Sequence, residues 1–186
     1  MQVTLAFLSA GVGFVQLRAK TWESGAFLDL ACDMTTGAGP AAMVIVNDRA
    51  DIAAIAGAAG VHVGQTDLPP AHVRRLVGDG AVVGLSTHSD SQLTAAVDAP
   101  VSYLAVGPVF GTETKETGYD AVGLDAVRRA AAIAGRAGVP LVAIGGITLE
   151  RAPAVIESGA DSVAVISDLL IGDPKSRARA FISALR

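Results

Sequence analysis

The chain has 186 residues, 51% of them hydrophobic and only 17% charged, a balance that excludes a disordered chain and suits one domain with a dense core. The formal net charge is −4 and no basic run occurs, so nucleic acid is excluded as an expected partner, and any anionic substrate must be held by locally placed cations. Cys32 is the single cysteine, which rules out an intrachain disulfide and reads as a small buried hydrophobe.

In chain order, Gln2–Ala10 predicts a helix. Short apolar runs of strand type follow at Val12–Leu17, Ala42–Val46, Gly60–Val63, Ala81–Leu85, Val101–Val106, Val139–Ile144 and Asp161–Ile166. Between and after them lie helical stretches at Glu23–Met34, Asp51–Ala58, Pro69–Val77, Ser89–Val97, Val122–Ala137, Leu149–Ser158 and Pro174–Leu185. Strands alternating with helices predict βαβ units and a parallel sheet, and near-continuous apolar strands predict a sheet covered on both faces. No linker or low-complexity tract divides the chain, so residues 1–186 are read as one domain. Seven strands are one short of a closed (β/α)8 barrel, which leaves an open doubly wound sheet or a barrel without its first strand. The N-terminal segment has no basic region or cleavage site of a signal peptide, and no run reaches the roughly 18 apolar residues of a spanning helix. A soluble, cytoplasmic protein without a membrane partner is the expectation.

Polar residues gather where the strands end, as on the active face of a barrel. Gln16, Arg18 and Lys20 share one parity, opposite to Val15, Leu17 and Ala19, so a strand continued through them would aim the three polar side chains together. An Arg fork and a Lys point charge in a barrel mouth suit a diphosphate; a strand fraying into a solvated loop is the other reading. Asp48 and Asp67 each follow a strand. They either converge on a hard cation, with Mg²⁺ touching substrate oxygens, or serve separately as helix N-caps. Gly145–Gly146 after the sixth strand would let a phosphate approach backbone N–H groups, and Ile166–Ser167 stands after the seventh. The stretch Gly107–Gly118, with Thr112, Thr114 and Lys115, reads as a closing loop over phosphates or as a solvated loop. His62 and His88 sit at strand ends and His72 in a helix; none has the spacing of a metal site.

Taken in order, these segments resemble the thiamine-phosphate synthase family over residues 5–186. The motifs are Gln16-x-Arg18-x-Lys20, Asn47-Asp48, His62-x-Gly64-Gln65-x-Asp67, Gly84-x-Ser86-x-His88, Gly107-Pro108 with Thr112, Thr114 and Lys115, Ile144–Ile147, and Ile166-Ser167. The resemblance implies a TIM (β/α)8 barrel that lacks its first strand in this chain. It also implies a transferase that joins hydroxymethylpyrimidine diphosphate to hydroxyethylthiazole phosphate with Mg²⁺, giving thiamine phosphate and diphosphate. It assigns the metal to Asp48 and Asp67. The diphosphate goes to Arg18, Lys20, Asn47, Ser86 and Lys115, with Arg18, Lys20, Ser86 and Lys115 acting in catalysis. Gln16 lies near the pyrimidine, and Thr112, Thr114, Gly146, Ile166 and Ser167 line the thiazole-phosphate side. The sequence departs from the family where it opens inside the first helix, as a truncated start or a partner chain filling the gap would explain, and at Ala19, where Glu is common. A thiazole tautomerase on the same fold and a non-catalytic phosphate-binding regulator are the rivals. Neither has an evident use for the carboxylate pair and the full set of cations.

Overall fold

The structure, a computed structural model, describes residues 2–111 and 119–185. A helix α1 (Gln2–Ala10) leads into seven strand–helix units: β1 (Phe14–Leu17), α2 (Ser24–Ala38), β2 (Met43–Asn47), α3 (Ala50–Ile55), β3 (Gly60–Val63), α4 (Pro70–Val77), β4 (Val82–Thr87), α5 (Asp90–Ala96), β5 (Tyr103–Val106), α6 (Gly123–Ala137), β6 (Leu141–Ile144), α7 (Ala152–Glu157), β7 (Ser162–Ala164) and α8 (Pro174–Ala184). Two 3-10 turns, Gly39–Ala41 and Ser167–Leu170, complete the described chain. All seven strands are parallel and pair in sequence order, β1 to β7, so this is a (β/α) barrel lacking one strand, with β1 and β7 as its edges.

The local signals act where expected. Pro70 opens α4, Ser89 caps α5 by accepting from the Gln92 N–H at 3.2 Å, and Asp173 caps α8 by accepting from the Ser176 N–H at 2.9 Å. The element boundaries differ in detail from the sequence reading. Helix α2 runs on to Ala38, where weakly polar residues tolerate either state. Strand β1 starts at Phe14 and stops at Leu17, so Arg18 and Lys20 lie just beyond it. A 3-10 turn at Ser167–Leu170 stands between β7 and α8.

Strand register sorts the side chains into two rows. Val44, Val46, Val61, Val63, Val83, Leu85, Leu104, Val106, Leu141 and Ala143 face the helices, where they pack with Phe27, Met34, Ile52, Val73, Leu93, Val127 and Phe181 in one core. Each such Val, Leu, Ile, Met or Phe side chain, fully buried, contributes about 1.5–3 kcal/mol. The opposite row is Phe14 and Gln16, Ile45 and Asn47, Gly60 and His62, Gly84 and Ser86, Tyr103 and Ala105, Val142 and Ile144. It faces the barrel interior: Phe14 of β1 reaches Tyr103 of β5 edge-on, with ring centroids 5.6 Å apart. Strands β3 and β5 are buried on both faces, whereas β1 and β7, flanking the gap, are part-exposed. The helical ring is less open than the sheet, because α1 packs against α8.

Gly60 illustrates how closely β3 and β4 approach. A Cβ at this position would collide with the backbone carbonyl of Val82, which cannot move without breaking the ladder. Gly60→Ala is expected to lower the unfolding free energy by about 1–3 kcal/mol, the usual cost of overpacking. A shift of the urea midpoint to lower concentration checks this, with Gly37→Ala, which meets nothing within 4 Å, as the control.

Candidate active site

The C-terminal ends of the strands bring together most of the described candidates. Asn47, the last residue of β2, is buried. Asp48 follows in the left-handed region at φ 63°, a conformation that Asp tolerates better than most residues, and its N–H donates to the His62 carbonyl at 2.8 Å. This kink sets the Asp48 carboxylate 3.2 Å from Lys20 Nζ and within hydrogen-bonding reach of Asp67. Asp67 is oriented by the Gly64 N–H, which donates to its Oδ2 at 2.8 Å. Neither aspartate caps a helix: the N-cap residues are Arg49 for α3 and Pro69 for α4, without side-chain caps. The two carboxylates stand side by side at the rim, and the capping alternative does not hold.

Burial and two neighbouring groups set the electrostatics of Asp48. Burial raises its pKa above the ordinary carboxylate value, the neighbouring Asp67 raises it further, and Lys20 partly offsets both. Two carboxylates at this distance repel unless a proton or a cation lies between them. The donor set is all oxygen, as a hard divalent cation prefers, and two carboxylates suffice for an ion whose remaining ligands are water and phosphate. Arg18 is exposed beside the same rim and has no ion-pair partner among the described residues. A cavity of about 150 Å³ opens here, lined by Lys20, Trp22, Phe27, Asn47, Asp48 and Arg49. The larger cleft, about 490 Å³ between α5 and α6, lies on the helix side of the sheet, where Arg129 pairs with Asp90 at 2.7 Å. It holds none of these groups.

Below the rim, the interior row forms a polar cluster that sequence spacing does not reveal. His62 Nδ1 lies 2.7 Å from the Tyr103 hydroxyl and His62 Nε2 lies 2.8 Å from Ser86 Oγ. Burial pushes the Tyr103 hydroxyl pKa up and nearby Gln16 partly offsets it, and the Gln65 amide donates to the Ser86 carbonyl at 2.7 Å. Gly84 makes room for this contact, because a Cβ there would collide with both Tyr103 and His62. Tyr103 was not among the sequence candidates. Its one visible signal is a polar aromatic on an otherwise aliphatic strand.

The loops after the last strands form the other side. Gly146 adopts φ 63° and abuts Phe110 and the Gly111 carbonyl, an approach that a side chain would block. Ile166 and Ser167 are exposed after β7. The two loops are tied by Asp168, buried, which accepts from the Leu149 N–H at 3.0 Å and pairs with Arg177 at 2.8 Å. Asp168 and Arg177 also escaped the sequence reading, since an isolated Asp and Arg carry no spacing signal. Thr112, Thr114 and Lys115 lie outside the described residues. His88 bonds the Gly107 carbonyl through Nδ1 at 2.6 Å and stacks on Tyr119, while His72 is exposed on α4.

A parallel β/α barrel with its polar residues collected at the C-terminal strand ends defines an enzyme of the TIM-barrel class. The family model for thiamine monophosphate synthase matches residues 1–169. The chain is 45% identical over 178 residues to thiamine-phosphate synthase from Koribacter versatilis, covering 96% of this chain and 82% of that one. It is 44% identical over 168 residues to the thiamine-phosphate synthase of Laribacter hongkongensis, covering 90% and 78%. Among solved structures, thiamine phosphate pyrophosphorylase from Pyrococcus furiosus superposes with a TM-score of 0.86 at 26% identity, over 99% of this chain and 88% of that one. The chain belongs to the thiamine monophosphate synthase family and is a transferase of thiamine biosynthesis.

The carboxylate pair yields a prediction about stability. A raised carboxylate pKa in the folded state means that ionised Asp48 is disfavoured there, a penalty present at neutral pH and lost as pH falls through the carboxylate range. Asp48→Asn, which also accepts the left-handed conformation, is expected to raise Tm at pH 7 without metal and to lose that advantage toward pH 3. Thermal melts across this range, with EDTA, check the sign.

Proposed function

We propose that this chain condenses hydroxymethylpyrimidine diphosphate with hydroxyethylthiazole phosphate, forming thiamine phosphate and releasing diphosphate. The observation that supports it most is the meeting of Lys20, Asp48 and Asp67 from three strand ends beside Arg18 and Asn47. Asp48 and Asp67 would hold Mg²⁺, which when bound neutralises and polarises the diphosphate leaving group. Arg18, Lys20, Asn47 and Ser86 grip the diphosphate, joined by Lys115. Gln16 holds the pyrimidine. Thr112, Thr114, Gly146, Ile166 and Ser167 serve the thiazole phosphate.

The chemistry asks for little else. The bond from the pyrimidine methylene carbon to the diphosphate oxygen breaks with its electron pair leaving on oxygen. The thiazole nitrogen lone pair then forms the new bond to that carbon. No proton has to be removed, so no general base is required, and the protein supplies charge stabilisation and alignment. Among the described residues no helix is long and apolar enough to cross a membrane, and with one cysteine and no basic run a cytoplasmic setting without nucleic acid belongs to this reading. The tautomerase and regulator alternatives leave the paired aspartates and the cations beside them without a task.

Incubation of both substrates with Mg²⁺, followed by detection of thiamine phosphate and diphosphate, tests the reading. Asp67→Ala is expected to reduce Mg²⁺-dependent kcat by about 10²–10³-fold, and Lys115→Ala to slow turnover at saturating substrates. EDTA should abolish wild-type activity. Product formation indifferent to EDTA and to Asp67→Ala would remove the metal role.

A further inference from the structure

We propose that Tyr103 and His62 form a one-way hydrogen-bond chain that holds Ser86 Oγ as a hydrogen-bond donor to the bound diphosphate, which makes both of them positioning residues. The inference rests on the reading of Ser86 as a diphosphate ligand. It adds the direction of the chain, the tautomer of His62 and the role of Tyr103.

The geometry connects four strands. Tyr103 of β5 bonds His62 Nδ1 on β3 at 2.7 Å and His62 Nε2 bonds Ser86 Oγ on β4 at 2.8 Å, while burial raises the Tyr103 pKa and Gln16 of β1 lies near enough to the hydroxyl to lower it in part. Tyr103 and His62 are buried, and their rings lie nearly parallel, with centroids 5.4 Å apart. The Gln65 amide holds the Ser86 carbonyl, so the backbone beneath the hydroxyl is fixed as well.

A neutral imidazole offers one N–H and one lone pair, and each hydroxyl has one hydrogen. For a neutral ring the choice of tautomer sets the direction of both bonds to His62, which gives two cases. In the first, the Gln16 amide donates to the tyrosine oxygen, the tyrosine O–H donates to His62 Nδ1, and His62 Nε2–H donates to Ser86 Oγ. The serine hydrogen is then available to a ligand. In the second, both bonds to His62 are reversed: Ser86 donates to Nε2 and Nδ1–H donates to Tyr103. The serine then presents only lone pairs outward.

Two arguments select the first direction. A phenol is a stronger donor than an alcohol, and its oxygen, conjugated with the ring, is a weaker acceptor than an imidazole nitrogen or a serine oxygen. The first direction thus pairs the better donors with the better acceptors at both bonds. A diphosphate has only acceptor oxygens, so a serine that has given its hydrogen to histidine would repel it rather than bind it. The short segment His62-x-Gly64-Gln65-x-Asp67 accordingly supplies two supports for the Ser86 donor and one carboxylate for the metal that would accompany the anion. His62 orients the Ser86 hydroxyl, Gln65 fixes the Ser86 carbonyl, and Asp67 stands at the rim.

The test reads the tautomer directly. In protein labelled with ¹⁵N-histidine, two-bond ¹H–¹⁵N correlation distinguishes Nε2–H from Nδ1–H rings. The chain has three histidines, so His62→Gln assigns the signal. His62 is expected as the Nε2–H tautomer in the wild type, and Tyr103→Phe is expected to populate Nδ1–H. By calorimetry with inorganic diphosphate and Mg²⁺, Ser86→Ala and Tyr103→Phe should each weaken binding by about tenfold, the loss of one charge-assisted hydrogen bond. The double variant should bind no more weakly than Ser86→Ala alone, because both changes remove the same donor. An Nδ1–H or doubly protonated His62 in the wild type, or additive losses in the double variant, would overturn the chain while leaving Ser86 a ligand. Wild-type diphosphate binding by Ser86→Ala would instead remove Ser86 from the ligand set, and the proposal with it.

Discussion

The two-residue period of a parallel strand is the constraint on which the rest of this molecule depends. Each strand presents one row to the helices and the other to the barrel interior, and the two rows are chemically different. The outer row is Val, Leu and Ala, closing one continuous core with α2 to α8. The inner row has aliphatic residues at some places and Gln16, Asn47, His62, Ser86 and Tyr103 at others, and it ends at the rim where Lys20, Asp48 and Asp67 meet. Slipping one strand by a single residue would move its polar side chains into the apolar core and its valines into the site. Site and core are therefore held by the same register.

Charge repulsion at the rim is the cost of that arrangement. Asp48 is buried enough to disfavour its ionised form, and Asp67 beside it worsens the situation, while a half-exposed lysine offsets only part. A site that is electrostatically unfavourable when empty gains most when a cation and an anionic substrate arrive together. Arg18 is likewise exposed, without an ion-pair partner among the described residues.

The missing strand has a more limited effect than the gap in the sheet suggests. Strands β2 to β5, which carry most of the interior polar residues, are fully paired on both sides. The gap falls between β1 and β7, and its consequences are local: Phe14 is 39% exposed, Gln16 is exposed, and Ile166 is 45% exposed. Unpaired edges of this kind can template association with other strands. The packing of α1 on α8 keeps the outer layer joined across the gap, so the helices bridge an opening that the sheet cannot.

The amino-acid sequence alone determined the order of strands and helices, the parity of Gln16, Val15 and Leu17, and the clustering of polar residues after strands. All of these follow from local periodicity and from turn chemistry within a few residues. It left undecided whether Asp48 and Asp67 cap separate helices or converge, because both outcomes use the same residues at the same positions. Tertiary structure settled that through the left-handed kink at Asp48 and the pairing of β2 with β3. It alone also brought Tyr103 of β5 to His62 of β3, strands that are not neighbours in the sheet. That contact arises from the curvature of the barrel, which is a property of all the strands together and is written in no single segment.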